Sequence, residues 1–127
     1  MRRTISTDGA PKALGPYSQA VAAGGWLYCS GQIGLDPSTG ELVQGGVESE
    51  ARQCLRNLEA VLEAAGCGFA DVVRTTIYLA DLGDFARVNE IYGRSFPEDP
   101  PARACIEAAA LPKGARVEID CVAMLPS

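Results

Sequence analysis

The sequence contains no histidine. Its absence removes the commonest general base of enzymes, the Ser-His-Asp and Cys-His catalytic arrangements, and the commonest metal ligand. None of the patterns G-x-G-x-x-G, G-x-x-x-x-G-K, H-E-x-x-H and G-x-S-x-G occurs either. Any chemistry must therefore use carboxylates, arginine, tyrosine, hydroxyls, thiols or backbone groups.

Basic residues are also few, with 11 Lys and Arg against 16 Asp and Glu and a net charge of −5. Because nucleic-acid surfaces draw their affinity from clustered Lys and Arg, we do not expect nucleic-acid binding. No uninterrupted apolar run approaches the roughly 18 residues that a membrane span needs. Polar residues, rather than the apolar region of a signal peptide, follow Arg2 and Arg3. We expect a soluble, cytoplasmic protein without a membrane partner.

The five cysteines are odd in number and scattered, and they include no C-x-x-C pair. This pattern indicates neither a disulfide framework nor a zinc site. We expect small, buried, reduced residues at these positions. They are Cys29, Cys54, Cys67, Cys105 and Cys121.

The length of 127 residues, with 47% hydrophobic residues, is enough to bury roughly two-thirds of the surface that the unfolded chain exposes. No internal repeat, low-complexity tract or linker interrupts the chain. We predict a single domain over residues 1–127.

Alternating apolar residues and turn signals predict five strands. Gly24 and Gly25 accept the positive φ of a tight hairpin turn between the first two strands. In the second strand the alternation places Gly31 and Ile33 on one face and Gln32 on the other. In the third it places Val73 on the face of Thr75, Ile77 and Leu79. The predicted strands cover residues 18–23, 26–33, 71–80, 102–110 and 115–125.

Two segments instead follow a period of about three and a half residues, which predicts amphipathic helices. The first covers residues 47–65 and is followed by Gly66, which is suited to end it in the left-handed conformation. The second begins after Asp84, which we expect to cap it, and Pro97 prevents its continuation. Its core-facing residues are Phe85, Val88, Ile91, Tyr92 and Phe96.

This order of two strands, helix, strand, helix and two strands predicts an α+β fold with both helices on one face of a sheet. In several strands, apolar residues occur at both odd and even positions and so on both faces of the sheet. We therefore expect the other face of the sheet to meet another subunit rather than solvent.

Each of the last two predicted strands contains a charged residue with two interpretations. Arg103 fits either a surface ion pair on an edge strand or a planar fork of donors that holds a carboxylate among small neighbours. Glu118 fits either a solvent-facing strand position or a carboxylate that positions and activates water. Spacing alone leaves both alternatives open.

Three other polar residues have ordinary structural interpretations. Tyr17 fits a packed ring with an exposed hydroxyl, Ser30 a satisfied strand hydroxyl, and Asn89 the polar side of its helix. The residues by themselves indicate a small oligomeric α+β domain in which carboxylate binding is possible.

Five segments that cover nearly the whole chain in order resemble the reactive-intermediate deaminase family, also called the RidA, YjgF or endoribonuclease L-PSP family. The breadth of this resemblance makes it far more specific than any single motif. The segments are GPYSQAV (15–21), SGQIGLDPSTGEL (30–42), ARQCLRNLEAVLEAAG (51–66), VVRTTIYLADLGDFARVNEIY (72–92) and PARACIEAAALPKGARVEID (101–120).

The resemblance implies a chorismate-mutase-like fold with a mixed sheet, assembled as a homotrimer with ligand clefts between subunits. Family members of the RidA type hydrolyse enamines and imines released by pyridoxal-phosphate enzymes, such as 2-aminoacrylate, to 2-keto acids and ammonia. Because the imine is already a good electrophile, this chemistry needs no metal, cofactor or covalent nucleophile.

The resemblance also assigns roles to residues. It places the carboxylate-holding arginine of the P-A-R-x-C motif on Arg103 and the cysteine whose backbone contacts ligand on Cys105. The water-positioning glutamate falls on Glu118. The remaining residues that the resemblance places in the cleft are Tyr17, Ser30 and Asn89.

The chain departs from the family at Ala110, where an arginine is often found, and at the end of its final strand, which reads CVAML instead of a basic tail. Both departures bear on substrate preference or on the trimer rim.

Two other functions stay open. One is a non-catalytic trimer that senses 2-keto acids, and the other is an endoribonuclease or translation inhibitor. The acidic net charge and the lack of histidine weigh against the second.

Overall fold

The computed structural model describes residues 2–126. In this part of the chain six strands form one mixed sheet in the order β1-β2-β3-β6-β4-β5. The β4–β5 pair is parallel, and the other neighbouring strands are antiparallel. The last two strands are therefore not neighbours, because β4 lies between them. The strands are β1 Arg3–Ile5, β2 Ala20–Ala23, β3 Trp26–Ile33, β4 Val72–Leu79, β5 Ala102–Glu107 and β6 Val117–Met124.

Two helices, α1 (Val47–Ala64) and α2 (Phe85–Ser95), pack on one face of the sheet. The Cys54 thiol of α1 donates to the Val117 carbonyl of β6 at 3.7 Å. Tyr92 of α2 places its hydroxyl 2.6 Å from Oγ1 of Thr75 on β4. Between these layers lies a core of buried apolar side chains. The predicted α+β fold, with both helices on one face, is confirmed.

Several predicted bounds agree with the structure. The bounds of β3 match, and the preceding turn has the expected positive φ at Gly24 (59°) and Gly25 (87°). Gly66 ends α1 at φ 81°, as predicted. The pattern missed β1, because three residues are too few to show a period.

Two β-bulges overturn the predicted faces. Cys29 pairs with Cys121, but Gln32 pairs with Ile119, so β3 carries one extra residue. Gln32 consequently lies on the buried face with Cys29 and Ile33 turns outward, whereas regular alternation would place Ile33, rather than Gln32, with Cys29. A second bulge in β4 leaves Val73 39% exposed instead of on the buried face.

Helix α2 begins directly after Asp84, as predicted, but the Asp84 side chain does not cap it, since it makes no capping hydrogen bond to the helix. The carboxylate is only 3% exposed and instead accepts hydrogen bonds from Arg87 and, at 2.8 Å, from Arg116. The two guanidinium groups supply the charge compensation that a buried carboxylate requires.

All five cysteines are free thiols, four of them buried and Cys105 partly so, as predicted. Across residues 2–126, neither helix has the length and apolar character needed to cross a bilayer.

Candidate functional site

Tyr17, Ser30 and Glu118 lie together on the open face of the sheet, the face without helices. They line a cavity of about 380 Å³ next to Gly31 and Lys113. Glu118 points to this face because its neighbours Val117 and Ile119 point into the core. We call this group the Glu118 site.

Hydrogen bonds from β3 hold the Tyr17 segment against the sheet. The Ser30 hydroxyl donates to the Ser18 carbonyl at 2.6 Å, and the Ser30 amide donates to the Gln19 carbonyl at 2.9 Å. The buried Gln19 side chain fixes the preceding loop: its Oε1 accepts from the Thr7 amide at 2.7 Å, and its Nε2 donates to the Pro11 carbonyl at 2.8 Å. Ser30 is thus both a lining residue and a structural tie.

The bulge in β3 makes room for the Glu118 carboxylate. Any Cβ at Gly31 would overlap this carboxylate, so the close approach requires glycine. Beyond the bulge, the Asn57 side chain of α1 donates to the carbonyls of Ile33 at 3.3 Å and Leu35 at 2.9 Å. A polar helix residue therefore holds the strand end next to the site.

Partial burial raises the pKa of Glu118, and the neighbouring carboxylate of Asp120 raises it further. Asp120 is itself anchored, since the Tyr78 hydroxyl donates to its Oδ2 at 3.0 Å. Tyr78 pairs directly with Glu118 across β4 and β6. The raised pKa moves Glu118 toward the range in which a carboxyl group both accepts and donates protons near neutral pH.

Arg103, Asn89 and Cys105 form a second group, at the β5 edge. Nη1 of Arg103 donates to Oδ1 of Asn89 at 2.7 Å. Both residues border a cavity of about 460 Å³ together with Pro101. Burial raises the pKa of the Cys105 thiol, so the thiol is protonated and poorly nucleophilic at neutral pH. We call this group the Arg103 site.

The two sites lie on opposite faces of the same sheet. Arg103 pairs with Thr75, which faces the helices, whereas Glu118 pairs with Tyr78 on the open face. Two strand spacings and three residues separate them, which corresponds to about 10 Å across the sheet and about 10 Å along it. One chain does not bring Arg103 and Glu118 to a common small ligand.

Sequence reasoning missed the residues that support the sites. The strand and helix patterns did not single out Asn57 or Gln19. Asn57 bonds carbonyls 22 and 24 residues away, and Gln19 bonds backbone groups of the preceding loop 8 to 12 residues away. Gly31 was assigned to a regular strand. A buried polar residue on an otherwise apolar helical stripe, as at Asn57, is the signal that could have indicated such a contact. Within residues 2–126 no three His, Cys, Asp or Glu side chains cluster in a way that could hold a metal ion.

Comparison with known proteins gives consistent matches over almost the whole chain. The family model for Endoribonuclease L-PSP matches residues 7–125. The human 2-iminobutanoate/2-iminopropanoate deaminase is 57% identical over 124 residues, covering 98% of this chain and 90% of the human protein.

Solved structures agree with these sequence matches. A putative endoribonuclease from Thermotoga maritima superposes with a TM-score of 0.96 at 46% identity, with both chains fully covered. Escherichia coli TdcF with bound serine superposes with a TM-score of 0.93 at 38% identity, covering 98% of this chain and 99% of that chain. The chain belongs to the endoribonuclease L-PSP family, which is the RidA/YjgF family that its motifs resemble.

Proposed function

We propose that this chain is a hydrolytic deaminase that converts carboxylate-bearing enamines and imines, of the 2-aminoacrylate type, to 2-keto acids and ammonia. The observation that carries this proposal is the 57% identity, over 98% of the chain, to a human protein named for deamination of 2-iminobutanoate and 2-iminopropanoate. The Arg103 and Glu118 sites supply the two groups that such chemistry requires.

Arg103 binds the substrate carboxylate in this proposal. A guanidinium presents parallel N–H donors that match a carboxylate, and each charge-assisted hydrogen bond contributes about 1.5 to 3 kcal/mol. Nη1 is already bonded to the neutral Asn89, so the remaining donors and the full positive charge are available to the ligand. The backbone of Cys105 and the side chains of Tyr17, Ser30 and Asn89 complete the substrate contacts.

Glu118 moves the protons. After the enamine tautomerises to the imine, Glu118 takes a proton from a water molecule while the water oxygen bonds to C2. The resulting tetrahedral intermediate receives that proton on nitrogen, which becomes an NH2 group. Glu118 then passes the proton of the new C2 hydroxyl to the same nitrogen, the C–N bond breaks, and ammonia leaves as the C2 carbonyl forms. The raised pKa of Glu118 suits both the base step and the acid step.

The substrate has only a few heavy atoms, so it cannot span the two faces of one sheet. We propose a homotrimer of the chorismate-mutase-like type, in which the Arg103 site of one chain meets the Glu118 site of another. The open face offers apolar side chains for such contacts, since Tyr28 is 50%, Ile106 48% and Met124 51% exposed.

A second candidate function is a non-catalytic trimer that binds carboxylates. The serine-bound structure of TdcF favours it as an alternative, because serine carries a carboxylate but is not an imine. Such a protein retains the Arg103 contact and binds 2-ketobutyrate without accelerating imine hydrolysis.

The test is to generate 2-aminoacrylate in situ with a serine dehydratase and to measure whether added protein speeds pyruvate formation. We expect acceleration by the parent protein and loss of most of it in Arg103→Lys, because an ammonium cannot reproduce the guanidinium fork. The matched control is Arg94→Lys on the exposed side of α2, where the arginine pairs with Glu90.

Each outcome decides between the candidates. Binding of 2-ketobutyrate without acceleration would favour the carboxylate-binding trimer. Near-parental turnover by Arg103→Lys would remove Arg103 from the site. Cleavage of RNA by metal-free parent protein that persists through repeated purification would instead favour the endoribonuclease.

A further inference from the structure

The guanidinium of Arg103 lies against two aromatic rings of α2. Its Cζ is 5.0 Å from the ring centroid of Tyr92 and 5.4 Å from that of Phe85. Both distances are within the range of cation–π attraction. With the hydrogen bond to Asn89, three residues of one helix contact a cation that projects from the neighbouring strand.

The Tyr92 ring is fixed from behind. Its hydroxyl is 2.6 Å from Oγ1 of Thr75, which is only 1% exposed and pairs directly with Arg103 across β4 and β5. Phe96 packs against the same ring at a centroid distance of 4.7 Å. Burial raises the pKa of Tyr92, so the ring next to the cation stays a neutral phenol.

The groups that contact Arg103 are neutral. None of the ion pairs among residues 2–126 includes Arg103, and its polar partner is an amide oxygen. Neutral contacts fix the guanidinium without neutralising its charge, whereas a carboxylate partner would compete with an anionic ligand. The arrangement therefore combines an ordered side chain with an uncompensated positive charge.

For an exposed arginine, the degree to which its side chain is ordered before a ligand binds affects the affinity for that ligand. A free arginine side chain samples many rotamers, and holding it in the bound conformation beforehand reduces the entropy that a ligand must overcome. Aromatic faces are suited to this because they attract the flat side of the guanidinium and leave its edge donors free.

We propose that Phe85 and Tyr92, with Thr75 behind Tyr92, are positioning residues that form an aromatic cradle and preorganise Arg103 for bidentate capture of the substrate carboxylate. This inference rests on the proposed function, because it assigns a role to side chains that act through Arg103. It concerns affinity, so the cradle acts mainly on KM rather than on kcat.

The test compares Phe85→Leu with Phe69→Leu. Both phenylalanines are half-buried, but Phe69 packs edge-on against Phe96 at 5.2 Å and does not contact Arg103. The Kd for 2-ketobutyrate is measured by calorimetry. KM and kcat are measured with 2-aminoacrylate as the substrate, and the stability of each variant is measured by thermal unfolding.

We expect Phe85→Leu to raise both Kd and KM by about three- to tenfold with a much smaller change in kcat. Phe69→Leu should lose about as much stability as Phe85→Leu but leave Kd and KM unchanged. Phe85→Tyr, which keeps an aromatic ring, should have the parental Kd and KM. Parental Kd and KM in Phe85→Leu, or an equal loss of affinity in Phe69→Leu, would overturn the proposal.

A second readout does not depend on ligand or turnover. Nitrogen NMR of the Arg103 Nε–Hε group reports rotation of the guanidinium, which we expect to be slow in the parent and in Phe69→Leu and fast in Phe85→Leu. If the parent neither binds 2-ketobutyrate nor hydrolyses 2-aminoacrylate, the proposed function fails. The rotation rates then still decide whether the cradle holds Arg103, and equal rates in all three proteins would reject it.

Discussion

At the scale of single residues, Glu118 and Arg103 are placed in contrasting environments. Glu118 is half-buried beside Asp120 and lies over a glycine, so its protonation is set by desolvation and by a like charge. Arg103 is exposed and its position is set by neutral contacts. The proposed roles in proton transfer and in carboxylate binding follow from this difference.

Glu118→Gln should slow hydrolysis of 2-aminoacrylate by about 10²- to 10⁴-fold, because an amide cannot accept and return the proton. Binding of 2-ketobutyrate should stay close to that of the parent, since the carboxylate contacts are made by Arg103. Glu63→Gln, on the exposed side of α1, is the control. Hydrolysis by Glu118→Gln at the parental rate would assign Glu118 to an ordinary strand position.

Asp120→Asn should shift the pH dependence of kcat/KM. Burial and then the Asp120 charge raise the pKa of Glu118. The base form is lost as the pH falls through this pKa. Removing the charge lowers the pKa, so the acidic limb of the profile should move to lower pH. A limb that stays in place or moves to higher pH would contradict this electrostatic coupling.

The sequence singled out candidate site residues and said less about what surrounds them. Arg103 and Glu118 stood out as charges within strand patterns. Phe85 and Tyr92 were predicted to face the core, and their contact with Arg103 could not be predicted, because it joins a helix to a strand that is distant in the chain. The assigned roles of all six site residues stay predictions.

At the scale of secondary structure, local patterns predicted both helices, the bounds of β3 and the glycine turn before it. The bulges in β3 and β4, the short β1 and the insertion of β6 between β3 and β4 were not predicted. These features are decided by hydrogen bonds between strands that are far apart in the sequence. The alternation of residues within one strand does not indicate which other strand pairs with it.

Gly31→Ala tests the bulge in β3. The added Cβ would meet the Glu118 carboxylate, so we expect kcat/KM to fall by at least tenfold while the far-ultraviolet circular dichroism stays parental. Gly68→Ala is the matched control, because its Cβ would have no neighbour within 4 Å. Parental kcat/KM in Gly31→Ala would show that the position of Glu118 against the bulge is unimportant for activity.

At the scale of the whole molecule, the sheet separates the two sites that one small substrate contacts in the proposed function. Arg103 lies on the helix side at the β5 edge, and Glu118 lies on the open face. We expected the open face to meet another subunit because apolar residues occur at both odd and even positions of the strands. The exposed tyrosine, isoleucine and methionine on the open face agree with this expectation. The homotrimer and the single domain over residues 1–127 stay predictions.

The most direct test of this account is complementation between two inactive variants. Arg103→Ala and Glu118→Gln chains are co-expressed, and turnover of 2-aminoacrylate by the purified mixture is compared with that of each variant alone at the same total concentration. If every cleft joins the Arg103 site of one chain to the Glu118 site of another, random assembly at equal amounts should restore about a quarter of the parental activity. A mixture no more active than its separate components would contradict a cleft shared between chains.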